Sequence, residues 1–166
     1  MLTPFEKLSD QSRIWIYQSK TELDQTTQQN LLADTEQFLN QWAAHGEALL
    51  ASATIEFNRF LIIAIDENFN MASGCSIDSM VRQVQNLGES HGVDFFDRTQ
   101  LAFKKGDRIE LMDMKEINQQ VTQGFFDSET LYFNNNIQSK SQLKDQWLIR
   151  PEESWLKRYF QTAKSV

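Results

Sequence analysis

Three side chains in the sequence carry the chemistry of a cysteine-dependent enzyme: Cys75, His45 and Asp97. A thiol becomes a strong nucleophile when a base removes its proton, and a third group commonly orients that base. We therefore assign Cys75 as the candidate nucleophile, His45 as the candidate base and Asp97 as the candidate orienting acid. No spacing in the sequence requires the three side chains to meet, so this assignment depends entirely on the fold.

A second kind of site is indicated by the small residues around the single cysteine, in the run SGCSIDS from Ser73 to Ser79. This run leads into a predicted helix from Asp78 to about Ser90, with Ser76 as its expected N-cap. Backbone N–H groups at a helix start lack partners, and they attract anions and favour a thiolate over a thiol. The candidate ligand-binding residues are Ser73, Gly74, Ser76, Ser79 and, at the end of the preceding strand, Asp66.

Three interpretations of this segment remain open. In the first, it is a capped helix start and Cys75 packs in the core as a small apolar residue. In the second, it forms an anion or small-ligand pocket, and in the third it presents a catalytic or redox thiol. The carboxylates of Asp66, Glu67 and Asp78 argue against both a thiolate and a bound anion, because like charges repel.

Metal and cofactor sites are poorly supported by the sequence. One cysteine and two widely separated histidines match no zinc spacing, so we expect no metal and no cofactor. Phosphate-binding loops and nucleophile elbows of the types G-x-x-x-x-G-K-[ST], G-x-G-x-x-G and G-x-S-x-G are absent. Asp94 and Asp97 flank Phe95-Phe96, which indicates either a carboxylate pair or, as we favour, a loop whose aromatic rings plug the core.

Length, composition and charge indicate which classes of protein the chain can belong to. The length of 166 residues predicts a single globular domain over residues 1–166. With 40% hydrophobic residues, the chain can form a hydrophobic core without disulfide bonds or metal ions to stabilise it. The net charge of -7 argues against nucleic-acid and anionic-membrane partners, which require basic surfaces. A single cysteine, no signal-peptide pattern and no apolar run longer than six residues predict a cytoplasmic protein.

Hydrophobic periodicity predicts the elements that must position these residues. Arg13 to Gln18 is predicted as a strand, and Gln25 to His45 as a long helix capped by Asp24 or Thr21 and ended by Gly46. Ala51 to Asp66 is predicted as a hairpin that turns at Asn58-Arg59. The later elements are predicted as a hairpin (Thr99 to Phe103 and Arg108 to Met112), short helices after Asp113 and Ser139, a strand at Thr130 to Phe133, and a terminal helix at Glu152 to Phe160.

This order predicts an α+β fold, with a mostly antiparallel sheet and helices packed on one face. The first six elements match the split β-α-β-β-α-β pattern of ferredoxin-like folds, followed by a C-terminal helical extension.

Several stretches together resemble a family of small proteins from Bacteroidetes-type bacteria that are often labelled ABC transporter ATPases. They are Ser12 to Gln18, Trp42 to Gly46, Ser73 to Ser79 and Val93 to Arg98, and the similarity spans about Pro4 to Phe160. The resemblance implies a bacterial source and a cytoplasmic setting. The ATPase label is not carried over, because the chain lacks a Walker A phosphate loop and a signature motif and is too short for such a domain.

The absence of a catalytic constellation with specific spacing favours a non-enzymatic domain that binds a small ligand or a protein partner. The alternative is a cysteine-dependent enzyme or redox protein that uses Cys75. A homo-oligomer or structural subunit is also left open, because Trp155, Leu156, Tyr159 and Phe160 form an apolar face that could dock on another chain.

Overall fold

The computed structural model describes residues 1–163, which form two compact units. The first unit comprises Met1–Phe96 together with Gln138–Ser141, and the second comprises residues 97–137 and 142–163. Both units contain helices and antiparallel sheet, so the predicted α+β class is confirmed. A single domain over the whole chain stays a prediction.

The first unit is built on a three-stranded antiparallel sheet in the order β1-β5-β4, from Arg13–Gln18, Phe60–Ile65 and Ala51–Glu56. Strand β5 pairs with β1 from Arg13↔Ile65 to Gln18↔Phe60, and with β4 over the same six residues. All of its side chains are buried, as an uninterrupted apolar run in a central strand requires. Strands β1 and β4 are therefore parallel with β5 between them, which is the predicted split β-α-β arrangement.

Two helices cover one face of this sheet, α1 (Gln25–Gln41) and α2 (Gly74–His91). Helix α1 begins at Asp24, whose carboxylate accepts the backbone N–H of Thr27 at 2.7 Å. A shared core joins the two helices to the sheet, because apolar residues recur on one side of each helix. Its buried members include Leu31, Leu39, Leu61, Ile63, Ile65, Met80, Val84 and Leu87.

Helix α1 ends at Gln41, so the prediction that it continues to His45 is wrong. Trp42 leaves the helical conformation with φ -70° and ψ 130°, and its indole N–H donates to the backbone oxygen of Ser76 at 2.9 Å in a buried setting. The chain then forms a small hairpin, β2 (Ala43–Ala44) and β3 (Glu47–Ala48). A long-range hydrogen bond and indole burial thus override the local helical tendency.

The second unit contains a four-stranded antiparallel sheet in the order β7-β6-β8-β9. Its strands are β6 (Gln100–Lys105), β7 (Arg108–Asp113), β8 (Leu131–Phe133) and β9 (Leu148–Ile149). The predicted hairpin is present as β6 and β7. Strand β6, the sixth element of the ferredoxin-like pattern, belongs to this sheet rather than to that of the first unit.

Three short helices complete the second unit: α3 (Ile117–Thr122), α4 (Gln142–Asp145) and α5 (Lys157–Ala163). Pro151 opens a 3-10 turn, and the terminal helix begins at Lys157 rather than at Glu152 as predicted. Leu156 and Phe160 are buried in the core of this unit with Phe103 and Ile117, whereas Trp155 remains 39% exposed. Tyr159 packs against the same core, so three of the four residues of the predicted docking face are used by their own unit.

Candidate functional site

Helix α2 begins at Gly74, four residues before the predicted start, because Ser73 rather than Ser76 is its N-cap. The Ser73 hydroxyl oxygen accepts the Ser76 backbone N–H at 3.1 Å, and the Ser76 hydroxyl oxygen accepts the Ser73 N–H at 2.8 Å. This reciprocal capping box satisfies two donors with local side chains. It also buries Ser76 to 4% exposure, so this predicted ligand-binding residue serves the helix end.

Cys75 is exposed in the first turn of α2, so its interpretation as a core residue is wrong. Among residues 1–163, neither its thiol nor the N–H groups of Gly74 and Cys75 has a hydrogen-bond partner. The position is therefore compatible with thiol chemistry and with a ligand at the helix start. Nearby carboxylates are already engaged: Glu67 accepts the Ala72 N–H at 3.2 Å, and Asp66 accepts the Asn68 N–H at 3.0 Å.

His45 lies in the turn of the β2–β3 hairpin, not at a helix end. It has a positive φ of 52°, and Gly46 follows with φ 81°, the pairing that two-residue hairpin turns require. Its imidazole is exposed and, in the part of the chain that the structure describes, makes no hydrogen bond or ion pair. The hairpin is connected to α2 through the bond between Trp42 and Ser76, which places His45 and Cys75 on segments that are hydrogen-bonded to each other.

Asp97 begins the second unit and stabilises a local turn. One of its carboxylate oxygens accepts the backbone N–H of Thr99 at 3.0 Å and the hydroxyl of the same residue at 2.5 Å. An aspartate that accepts the backbone N–H two residues later forms an Asx turn, a common structural role of this side chain in loops. The assignment of Asp97 as an orienting acid for His45 stays a prediction.

An open depression of about 480 Å³ lies at the other end of α2, within the first unit. None of the ligand-binding residues predicted from the sequence lines it. The lining residues come from the last turns of the helix and the loop that follows: Gln85, Gly88, Glu89, Gly92, Val93, Asp94, Phe95 and Phe96.

The depression exists because the chain reverses tightly after α2. Gly92 ends the helix in the left-handed conformation with φ 68°, and the Val93 N–H returns to the Gly88 oxygen at 2.8 Å. A Cβ at Gly88 would lie only 2.5 Å from the Val93 carbonyl oxygen, so the loop can approach the helix this closely only beside a glycine.

The loop that follows α2 is held in place by its own aromatic side chains, which pack against the core of the first unit. Phe95 is 6% exposed and Phe96 is partly buried, and both pack against the core that the helices share with the sheet. The Tyr17 ring lies 6.5 Å from that of Phe95 and 5.7 Å from that of Phe96, between ring centroids. The predicted interpretation of Phe95-Phe96 as a core plug is therefore confirmed for the first unit.

Carboxylates supply the charge of the depression. One oxygen of Asp94 accepts the Phe96 N–H at 3.0 Å, which fixes the carboxylate beside the ring, and Glu89 lies in the last turn of α2. Both residues are exposed, and neither carboxylate forms an ion pair within residues 1–163. The arrangement offers an apolar floor and an acidic edge, which can hold a ligand.

Sequence reasoning recognised the parts of this depression but not their association. It predicted a helix that ends at about Ser90 and identified Phe95-Phe96 as core aromatics, yet it gave Glu89 no role. The sequence feature that could have identified the site is the position of Glu89 in the last turn of a predicted helix. A carboxylate is unfavourable there, because it faces the negative end of the helix dipole.

No group of three or more potential metal-ligating side chains occurs in residues 1–163. Over the same range, none of the helices has both the length and the apolar character that crossing a membrane requires. No family model, no curated protein and no solved structure matches the chain.

Proposed function

We propose that this protein is a binding protein, and that its small-ligand site is the depression at the C-terminal end of α2. The observation that carries the proposal is the combination of a volume of about 480 Å³, an aromatic floor and exposed polar groups at the edge. Sites for small molecules in proteins commonly have about 300–1,000 Å³, a mainly apolar lining and a few polar groups that fix orientation.

The test uses 2-phenylethanol as a neutral aromatic probe and follows backbone amide signals by NMR. Gly88, Gly92, Val93 and Phe96 line the depression, so their N–H signals report directly on occupancy. We expect saturable shifts of these signals, with dissociation constants in the millimolar range, corresponding to about 4 kcal/mol of binding free energy.

A matched pair of variants makes the test specific. Gln85→Trp places a large side chain over the depression, whereas Asn86→Trp adds the same side chain at the neighbouring exposed position, which does not line it. The first variant should abolish the shifts and the second should retain them. Absence of saturable shifts in the unaltered protein, or equal binding by both variants, contradicts the proposal.

A second candidate function, a cysteine-dependent enzyme or redox protein, is favoured by the exposure of Cys75 in the first turn of α2. Its test is the rate of iodoacetamide alkylation as a function of pH. The control is Asn86→Cys on a Cys75→Ser background, which puts an exposed thiol in the middle of the same helix. Labelling of Cys75 that is much faster than the control at neutral pH supports this function, and equal rates refute it.

The proposed setting is a reducing bacterial cytoplasm, supported by the single unpaired cysteine and by the resemblance described above. A protein partner is supported by exposed apolar side chains on the first unit, Phe69 at 52% and Met71 at 68% exposure. Self-association through the second unit is supported by the exposure of Trp155. Light scattering tests this last proposal, and a monomer at high concentration refutes it.

A further inference from the structure

The charged side chains that line the depression have one sign. Glu89 and Asp94 are acidic, Gln85 is neutral, and none of the lining residues is a lysine or an arginine. A concave surface with one sign of charge concentrates ions of the opposite sign. The lining therefore opposes an anionic ligand and favours a cationic one.

The position of Glu89 increases this effect. It lies in the last turn of α2, where the free backbone carbonyls carry the negative end of the helix dipole. A glutamate at this position raises the energy of the free protein, and a bound cation would remove that penalty. The neighbouring base His91 does not neutralise Glu89, because its imidazole lies 2.7 Å from the carboxylate of Asp34 on α1.

Asp94 adds a second carboxylate whose geometry is already fixed. Its bond to the Phe96 N–H holds it at the start of the aromatic pair, so an approaching ligand need not order this side chain. Lys20 contacts the same loop, with its backbone N–H 3.0 Å from the Asp94 carbonyl oxygen, but it is not a lining residue.

The aromatic floor supplies the remaining recognition element. Phe96 is only partly buried, and its ring centroid lies 5.7 Å from that of Tyr17. Aromatic faces attract organic cations, and they also bury the methyl or methylene groups that such cations carry. Carboxylates beside aromatic rings thus match a ligand with both a positive head and a small apolar body.

We infer that the depression takes an organic cation, a small molecule with an ammonium head and a compact apolar body. This inference rests on the proposed function, since it specifies the ligand class of the same site.

The test compares choline with its uncharged isostere 3,3-dimethylbutan-1-ol, using the same amide signals. The two probes have almost the same shape, so any difference between their affinities measures the effect of the positive charge. We expect choline to bind about ten-fold more tightly at low ionic strength and to lose this advantage as salt is raised.

Two variants that remove one charge each provide the control. Glu89→Gln should weaken the binding of choline more than that of its uncharged isostere, so that the preference for choline decreases and the remainder comes from Asp94. Asp78→Asn removes the same charge from an exposed position at the opposite end of α2, about 16 Å away along the helix axis, and should keep the preference.

The outcomes separate the two proposals. Equal binding of choline and its isostere, or a preference of unchanged size in Glu89→Gln, overturns the cationic inference and leaves the ligand site standing. If neither these probes nor 2-phenylethanol shifts the amide signals, both proposals fail.

Discussion

Replacement of Gly88 by alanine tests the physical basis of the depression. The added Cβ would lie 2.5 Å from the Val93 carbonyl oxygen and 3.6 Å from an atom of the Phe95 ring. An ordinary contact begins near 3.4 Å, so the loop must move by about 0.9 Å. The clashing atom belongs to the backbone, and the hydrogen bond from the Val93 N–H to the Gly88 oxygen holds it in place.

The expected change in the free energy of unfolding is the difference between two contributions of opposite sign. Overpacking against an immobile group costs about 1–3 kcal/mol, whereas alanine in place of glycine within a helix gains up to about 1 kcal/mol. We expect the clash to dominate, with a net decrease of about 1–2 kcal/mol in the free energy of unfolding. For a chain of this size, the decrease corresponds to a Tm lowered by about 2–8 °C.

Gly74→Ala is the matched control. Gly74 is the first residue of the same helix, its φ is not positive, and a Cβ there would meet no atom within 4 Å. Its free energy of unfolding should therefore stay the same or increase slightly. Urea unfolding, followed by tryptophan fluorescence and circular dichroism, provides the comparison for both variants.

The reasoning fails if Gly88→Ala is as stable as Gly74→Ala. That result would mean that the loop from Gly92 to Phe96 moves away from α2 at little cost, and hence that the shape of the depression is not fixed by the close approach at Gly88. A stable Gly88→Ala variant with unchanged 2-phenylethanol binding would also show that the loop position does not control the ligand site.

Three further predictions concern stability and titration. Trp42→Phe should lower the free energy of unfolding by about 1–3 kcal/mol in urea unfolding, because it leaves a cavity and removes the buried hydrogen bond from the indole N–H to the Ser76 oxygen. The pKa of Asp24 is lowered because its carboxylate accepts a backbone N–H of the first helical turn. Its stabilising contribution should thus be present above about pH 4 and lost as the pH falls further, and Asp24→Asn, which keeps a capping oxygen, should lack this dependence in acid unfolding curves. Burial raises the pKa of Tyr132, so stability should fall above about pH 10, because the phenol ionises in the unfolded chain before it ionises in the folded protein. Tyr132→Phe should lack this part of the decrease in urea unfolding at alkaline pH, and an identical pH dependence in the two proteins would contradict the assignment.

The sequence by itself determined those helices and strands that a pattern of neighbouring residues defines. The uninterrupted apolar run of β5 requires a central strand, and the period of apolar residues in α1 and α2 requires helices that pack on one face. Strands β6 and β7 were predicted to within a few residues, because strand patterns on both sides of a short polar segment define a hairpin without reference to the rest of the chain.

Only the tertiary structure determined where a predicted helix ends and which sheet a predicted strand joins. Helix α1 ends at Gln41 because Trp42 finds a hydrogen-bond partner in Ser76, far away in the sequence. Strand β6 joins the sheet of the second unit, since strand pairing depends on partners that local propensity does not specify.

The same division applies to the candidate site. Cys75, His45 and Asp97 stand out by chemical type, but type alone does not show which side chains a fold brings together. Glu89 and Asp94 look ordinary in the sequence, and they line one depression only because Gly88 and Gly92 let the chain turn back closely over the end of α2. Backbone reversal and ring packing, which act over several elements at once, thus created the depression that no local pattern could predict.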